Sequence, residues 1–298
     1  MKRPIVITIA CICLIALCFF GYKTFLHEDS SAYFVYKGSI IKSEFPLAEN
    51  QVEYAAYLYQ TIYDNHLDGM NVYLSIIPDK AYFVSEIKYD TMDYEKLAEI
   101  MQNGFSSAQY VDIFGLLSLE DYYLTDSHWK QENIVCVAQA IGNAMGVSVC
   151  GFDDYTASAP MEFQGAYHEQ VLKKVDADEL VYLTSVYTEN SVLTGYEIEG
   201  EKPLYTLDKE GYDIFLSGAQ SILEMTCANA EIDKELVIFR DSFASSIAPL
   251  FVGAYSKITI VDLRYFSSKL LDEFIEFTNQ DVLFISSTSL LNNGMLMK

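Results

Sequence analysis

Between residues 236 and 286, three short β-prone runs are separated by stretches with helical spacing, and this alternation restricts the chain more than any other feature it carries. The runs cover 236–239, 258–261 and 282–286, and the helical spacing falls at 243–255 and 269–277. Strands that alternate with helices pair in parallel and place the helices on the sheet faces. The same grammar appears further back. Val52, Ala55, Ala56, Leu58, Tyr59 and Ile62 predict a helix over 50–68, and the apolar, β-branched run 72–77, ended by Pro78, predicts a buried strand. A helix is expected over 94–101 and a short strand over 110–114. Over 129–145, Ile134, Val137, Ala138, Ile141 and Met145 share one helix face, and Gly146 supplies the stop. Residues 147–231 differ, with Gly, Tyr, Thr and acidic residues between short β-prone runs such as 180–186. The expected fold is an α/β domain over 50–298, a parallel sheet flanked by helices, with a strand-rich insertion at 147–231.

The first residues have another character. Lys2 and Arg3 precede an almost unbroken apolar run to Phe20, which Lys23 closes. Such a run inserts into a membrane, and no small-x-small cleavage site comes after it, so 1–26 reads as an uncleaved transmembrane helix and 27–49 as a linker. Cys18 follows Leu17, which disfavours a lipoprotein; a lipoprotein or a secreted chain is the alternative. Basic residues before the run and an acidic chain behind it place the bulk outside the cytoplasm. The net charge is −23, and three of the 19 basic residues lie in the expected anchor. A surface this acidic repels phosphate polymers, so nucleic-acid binding is disfavoured. Cys136, Cys150 and Cys227 show neither CxxC spacing nor a partnering histidine cluster, so no metal, cofactor or disulfide framework is expected.

Two short blocks can carry chemistry. In ELVIFRDSF, Ser242 follows a hydrophobic strand and precedes a helical stretch, where a hydroxyl faces the crevice at the carboxyl ends of parallel strands and helix N–H groups can meet an oxyanion. Asp241 or Ser242 acting only as a helix cap is the plainer alternative. In TDSHW, Asp126 and His128 stand two apart, so a carboxylate can hold an imidazole that serves as base to a serine. His66 also has a carboxylate two residues before it, Asp64, but in a helix residues two apart do not face each other. Arg264 follows the 258–261 run and can reach the same sheet edge, although an ion pair is an ordinary fate for it. Asn292 and Asn293 follow the last strand as possible oxyanion donors or turn residues. Pro78, Asp79 and Lys80 end a strand at that edge as well.

Taken in order, YYLTDSHW, VIFRDSF with IAPLF, ITIVDLRYF and the closing STSLLNN resemble the DHHW family of bacterial extracytoplasmic proteins, itself similar to SGNH-like proteins that O-acetylate alginate and other exopolysaccharides. The resemblance spans the chain from about residue 50 and implies an SGNH-hydrolase-like sheet with Ser242 as nucleophile, His128 as base and Asp126 as orienting acid. The family's first histidine is Ser127 here, and the proline usual before the later arginine is Leu263. The activity that the resemblance implies is serine-dependent acyl or acetyl transfer, or ester hydrolysis, on a glycan or small ester, with a membrane protein as a possible acyl donor. A membrane-anchored protein that keeps the fold only to bind a glycan or protein is the alternative.

Overall fold

The computed structural model describes residues 32–84 and 90–296. The expected membrane segment, 1–26, lies outside the described residues; among those described, no helix is long and apolar enough to cross a membrane.

The chain opens with a hairpin of β1 (Tyr33–Tyr36) and β2 (Ser39–Lys42), paired antiparallel inside the stretch expected to be linker. Ile40 and Ile41 in it are completely buried. Helix α1 (Glu49–Ile62) buries all six apolar residues that its spacing singles out and continues as a wider π turn over Tyr63–Leu67. Strand β3 (Val72–Ile77), helix α2 (Tyr94–Gly104) and the two-residue β4 (Gln109–Tyr110) come next. The rest of the expected strand 110–114 turns instead into a 3-10 turn at Phe114–Leu116. Helix α3 covers Val135–Ala144, shorter than expected, because residues from Trp129 onward first close a loop.

Within 147–231, β5 (Thr156–Ala157), β6 (Met161–Phe163), β7 (Asp178–Leu180) and β8 (Leu183–Thr184) form two small antiparallel pairs, β5 with β8 and β6 with β7. Its last strands, β9 (Ser191–Gly195) and β10 (Ile222–Cys227), instead join the main sheet. Strand β11 (Glu235–Arg240) leads through α4 (Ala244–Ile247) and a 3-10 turn at Ala248–Phe251 to β12 (Lys257–Asp262). A short α5 (Leu271–Phe274) precedes β13 (Asp281–Ser287), and α6 (Thr288–Asn293) ends the fold at the left-handed Gly294.

The seven strands lie in the order β4-β3-β13-β11-β12-β10-β9. From β4 to β12 every pairing is parallel; β10 runs against β12 and β9 against β10, so the sheet is mostly parallel and the expected all-parallel arrangement stops at β12. Period-two alternation separates two cores. Leu236, Ile238, Ile258, Ile260, Leu283 and Ile285 face α3 and the 147–231 region, while Val237, Phe239, Val261, Val282 and Phe284 face α1 and α2. Phe239 and Phe284 stack at 4.5 Å across adjacent strands. This two-sided burial explains why the strands read as continuous apolar runs.

Candidate functional site

Parallel strands β3, β11, β12 and β13 deliver their next residues to one edge: Asp79 and Lys80, Asp241 and Ser242, Arg264, and Thr288. Opposite them stands a loop closed by a bridge between Tyr122 and Trp129 and by the Tyr123 N–H on the His128 carbonyl (3.0 Å). A loop this tight holds Asp126 at its tip and His128 in its closing pair.

The two blocks meet. His128 Nε2 lies 2.8 Å from Ser242 Oγ, and His128 Nδ1 lies 2.6 Å from Asp126 Oδ1. Ser242 and His128 are partly buried, whereas Asp126 is 5% exposed. Burial by itself would raise the Asp126 carboxyl, but the charge and hydrogen bonds of His128 and the Ala166 N–H (2.9 Å, on Oδ2) outweigh it and hold the group well below the usual carboxylate range. With Nδ1–H bound to Asp126, the remaining ring nitrogen faces the hydroxyl with its lone pair, as proton abstraction from a serine requires.

Arg264 reaches the same rim and lines both cavities that open at Ser242, one of about 150 Å³ and one of about 450 Å³. Its Nε and Nη2 donate to Asp262 (2.9 and 2.7 Å). Burial would lower this guanidinium, yet the bonds and charge of Asp262 raise it, so it stays charged. Asn292 and Asn293 do not come to the serine. The Asn292 amide donates to the Glu44 and Pro46 carbonyls and accepts from the Ala48 N–H, while Asn293 donates to Glu44 Oε2 and the Ser289 carbonyl. Both amides tie the segment after the hairpin to α6. Of the N–H groups that follow Ser242, that of Phe243 donates to Asp241 Oδ1 (3.1 Å) and that of Ala244 to the Asp241 carbonyl. The expected long helix at 243–255 is replaced by α4 and its 3-10 turn, in which Pro249 cannot donate. His66 pairs with Asp272 at 2.8 Å, far along the chain from Asp64.

Several further residues shape this site. Tyr212 stacks on the His128 ring at 3.8 Å with 11° between planes, and its hydroxyl donates to the Phe243 carbonyl and bonds Ser246 Oγ. Trp129 Nε1 reaches the same two acceptors, so the indole after His128 is tied to the backbone just after Ser242. At Gly165 a Cβ would come within 2.3 Å of the Asp126 Cβ, so glycine alone allows that backbone to pass beside the carboxylate. Asp79, which lines the smaller cavity, is pushed up to about 6 by burial, against donors from Thr288 and Ala81. Trp129 belongs to the TDSHW block and Asp79 to the end of the 72–77 strand, whereas Gly165 and Tyr212 come from the 147–231 region, where no local motif marks them.

No family model and no curated protein matches the chain in sequence. Solved structures do match in fold. A DHHW family protein from Eubacterium siraeum aligns with a TM-score of 0.67 at 20% identity over 83% of this chain and 89% of that one. Bacillus cereus PatB1, in a structure with a sulfonyl adduct, aligns at 0.67 and 18% identity over 89% of this chain and 98% of its own. The O-acetyltransferase domain of Pseudomonas putida AlgJ aligns at 0.56 and 12% identity over 89% and 93%. The resemblance expected from the ordered motifs therefore holds in three dimensions: the chain has the α/β fold of a DHHW family protein, PatB1 and the AlgJ domain.

Proposed function

We propose that the domain transfers an acyl group, in the simplest case acetyl, through an ester on Ser242, to a glycan hydroxyl or to water. The observation that carries this reading is the continuous hydrogen-bonded line from Ser242 Oγ through His128 to Asp126. In the first half-reaction Ser242 Oγ bonds to the acyl carbonyl carbon while its proton passes to His128 Nε2. The tetrahedral oxyanion collapses, the bond to the leaving oxygen breaks, and His128 returns the proton to that oxygen. In the second half His128 takes a proton from the acceptor hydroxyl as its oxygen bonds to the acyl carbon; the bond from that carbon to Ser242 Oγ then breaks and His128 returns the proton to Oγ, which restores the free serine. Asp126 keeps Nδ1 protonated and balances the imidazolium. Arg264 supplies positive charge at the rim where the oxyanion develops.

The fold shared with an O-acetyltransferase domain supports acyl transfer over other serine chemistry, and the wider cavity, lined by His128 and Asp126, gives the acceptor room beside the base. The apolar run from Ile5 to Phe20, preceded by Lys2 and Arg3, is the ground for reading the domain as tethered outside the cytoplasm, a placement in which a membrane protein could serve as acyl donor. A sulfonyl fluoride is the direct test, and the sulfonyl adduct of PatB1 makes it a natural choice. Phenylmethanesulfonyl fluoride is expected to modify Ser242 stoichiometrically, with Ser242→Ala unmodified and equally folded. A folded protein that stays unlabelled from mildly acidic to mildly alkaline pH would refute the reading and leave a glycan- or protein-binding role.

A further inference from the structure

We propose that Lys80 and Asp178 act together as a two-sided charged clamp on the turn that carries Asp126, and thereby position the Asp126 carboxylate against His128; the proposal rests on the serine-site reading above. The turn runs through Tyr123, Leu124, Thr125 and Asp126. On one side, Lys80 Nζ donates to the carbonyls of Tyr123 (2.7 Å), Leu124 (3.2 Å) and Asp126 (2.9 Å). An ammonium has three donors, and these carbonyls occupy all of them. On the other side, the Asp178 carboxylate accepts from Leu124 N–H (2.5 Å), Thr125 N–H (2.8 Å) and Thr125 Oγ1 (2.5 Å). The peptide dipoles of the turn thus lie between a cation at their oxygens and an anion at their hydrogens.

Both charges are buried, Lys80 at 3% exposure and Asp178 at 4%. Burial brings the Lys80 amine down to about 7, opposed by the charges of Asp126 and Asp178, and the three carbonyls around Nζ are satisfied together only by its protonated form. Buried ions are costly, and well-packed apolar side chains hold a loop at least as firmly in free energy, so stability alone does not account for the pair. What two opposed charges add is direction: the turn cannot rotate without losing several charge-assisted bonds at once. The neighbouring groups close the cage, since Ile40 N–H also binds the Leu124 carbonyl and Tyr167 N–H the Thr125 carbonyl. Lys80 lines the smaller cavity beside Ser242, but its donors are spent on backbone, so it positions the site and does not touch the reacting atoms.

The test uses the full chain as Lys80→Met, Lys80→Gln, Asp178→Asn and the Lys80→Met/Asp178→Asn double variant. Three quantities are read: the rate of Ser242 modification by phenylmethanesulfonyl fluoride, kcat and KM for p-nitrophenyl acetate, and the far-downfield proton resonance of His128 Nδ1. Lys80→Met is expected to lower the modification rate and kcat about 10- to 100-fold with KM unchanged, because a displacement of about 1 Å has that effect on a positioned group. Its Nδ1 proton signal shifts or broadens. Lys80→Gln, which keeps two donors, falls between Lys80→Met and the parent. The double variant loses less than the product of the single losses, as coupled neighbours do. Unchanged rates and an unchanged resonance in folded Lys80→Met and Lys80→Gln, or single losses that simply multiply, would overturn the clamp. Failure of the parent to be modified would instead strike the serine reading, and the Nδ1 resonance alone would then decide the clamp.

Discussion

The sheet and the 147–231 region solve opposite problems with the same chain. In the sheet, β3, β11, β12 and β13 are specified by their own residues: each is a run rich in β-branched, aliphatic or aromatic side chains, buried on both faces, and each leads into a residue of the rim around Ser242. The strand pairs of the 147–231 region have only brief β-prone runs, such as 180–186, and strands of two or three residues. They are held by contacts distant in sequence, such as Leu183 N–H on the Gln131 side chain and Tyr205 hydroxyl on the Leu183 carbonyl. Yet it is this region that stacks Tyr212 on His128 and sends the Ala166 N–H to Asp126. The sheet thus brings Ser242 to its place, and the lobe packs on the imidazole and the carboxylate that line up with it.

The largest expected effect should weaken the sheet and leave the chemistry of the folded molecule intact. Phe284→Ala removes a fully buried ring that packs on Tyr59, Phe105 and Phe239, and about 3–5 kcal/mol of stability should be lost, read as a lower urea midpoint. Within the temperature range where it remains folded, its Ser242 should still be modified at nearly the parent rate. A collapse of reactivity in the folded state would mean that the two regions are not separable in this way.

Gly165→Val should show the reverse pattern. A side chain there collides with Asp126 Cβ and the Thr125 carbonyl, so the acid is displaced while the sheet is untouched. Modification of Ser242 should slow about 100-fold, with a stability loss of only about 1–3 kcal/mol from local overpacking. A parent-like rate would show that the lobe does not control the carboxylate.

The smallest effect is in acid. The Asp126 carboxyl is held below its unfolded range, so its contribution to stability is complete above about pH 4 and is lost as pH falls through the folded value. Thermal unfolding followed from neutral pH into strong acid should therefore fall less steeply in Asp126→Asn than in the parent. Equal slopes would mean that the lobe's donor and His128 give the carboxylate no preference for its charged form.

Strand runs, the apolar face of α1 and the two chemical blocks were legible in the amino-acid order because each is encoded by neighbours: period, turn residue, spacing. The meeting of Ser242 with His128, expected from the order of the motifs, is found at 2.8 Å. Hidden were the facts decided by distant partners. Asn292 and Asn293 stand after a strand as oxyanion donors might, but Glu44, Pro46 and Ala48 claim them. The helix expected at 243–255 breaks early because Pro249 interrupts its ladder. Residues 33–42, polar enough at their ends to read as linker, form a hairpin because Ile40 and Ile41 find an apolar seat.

That hairpin has a mechanical meaning. Ile40 is bonded to Leu124, and Glu44 is gripped by Ser289 and Asn293, so the segment leading into the domain is fastened at once to the turn of Asp126 and to the helix that follows Ser287. Ser287 in turn donates twice to Asp241, the residue beside the serine. A pull applied to the hairpin from its N-terminal side would therefore transmit its load to both halves of the rim around Ser242 together, and the rim would shift as one piece instead of being pried apart.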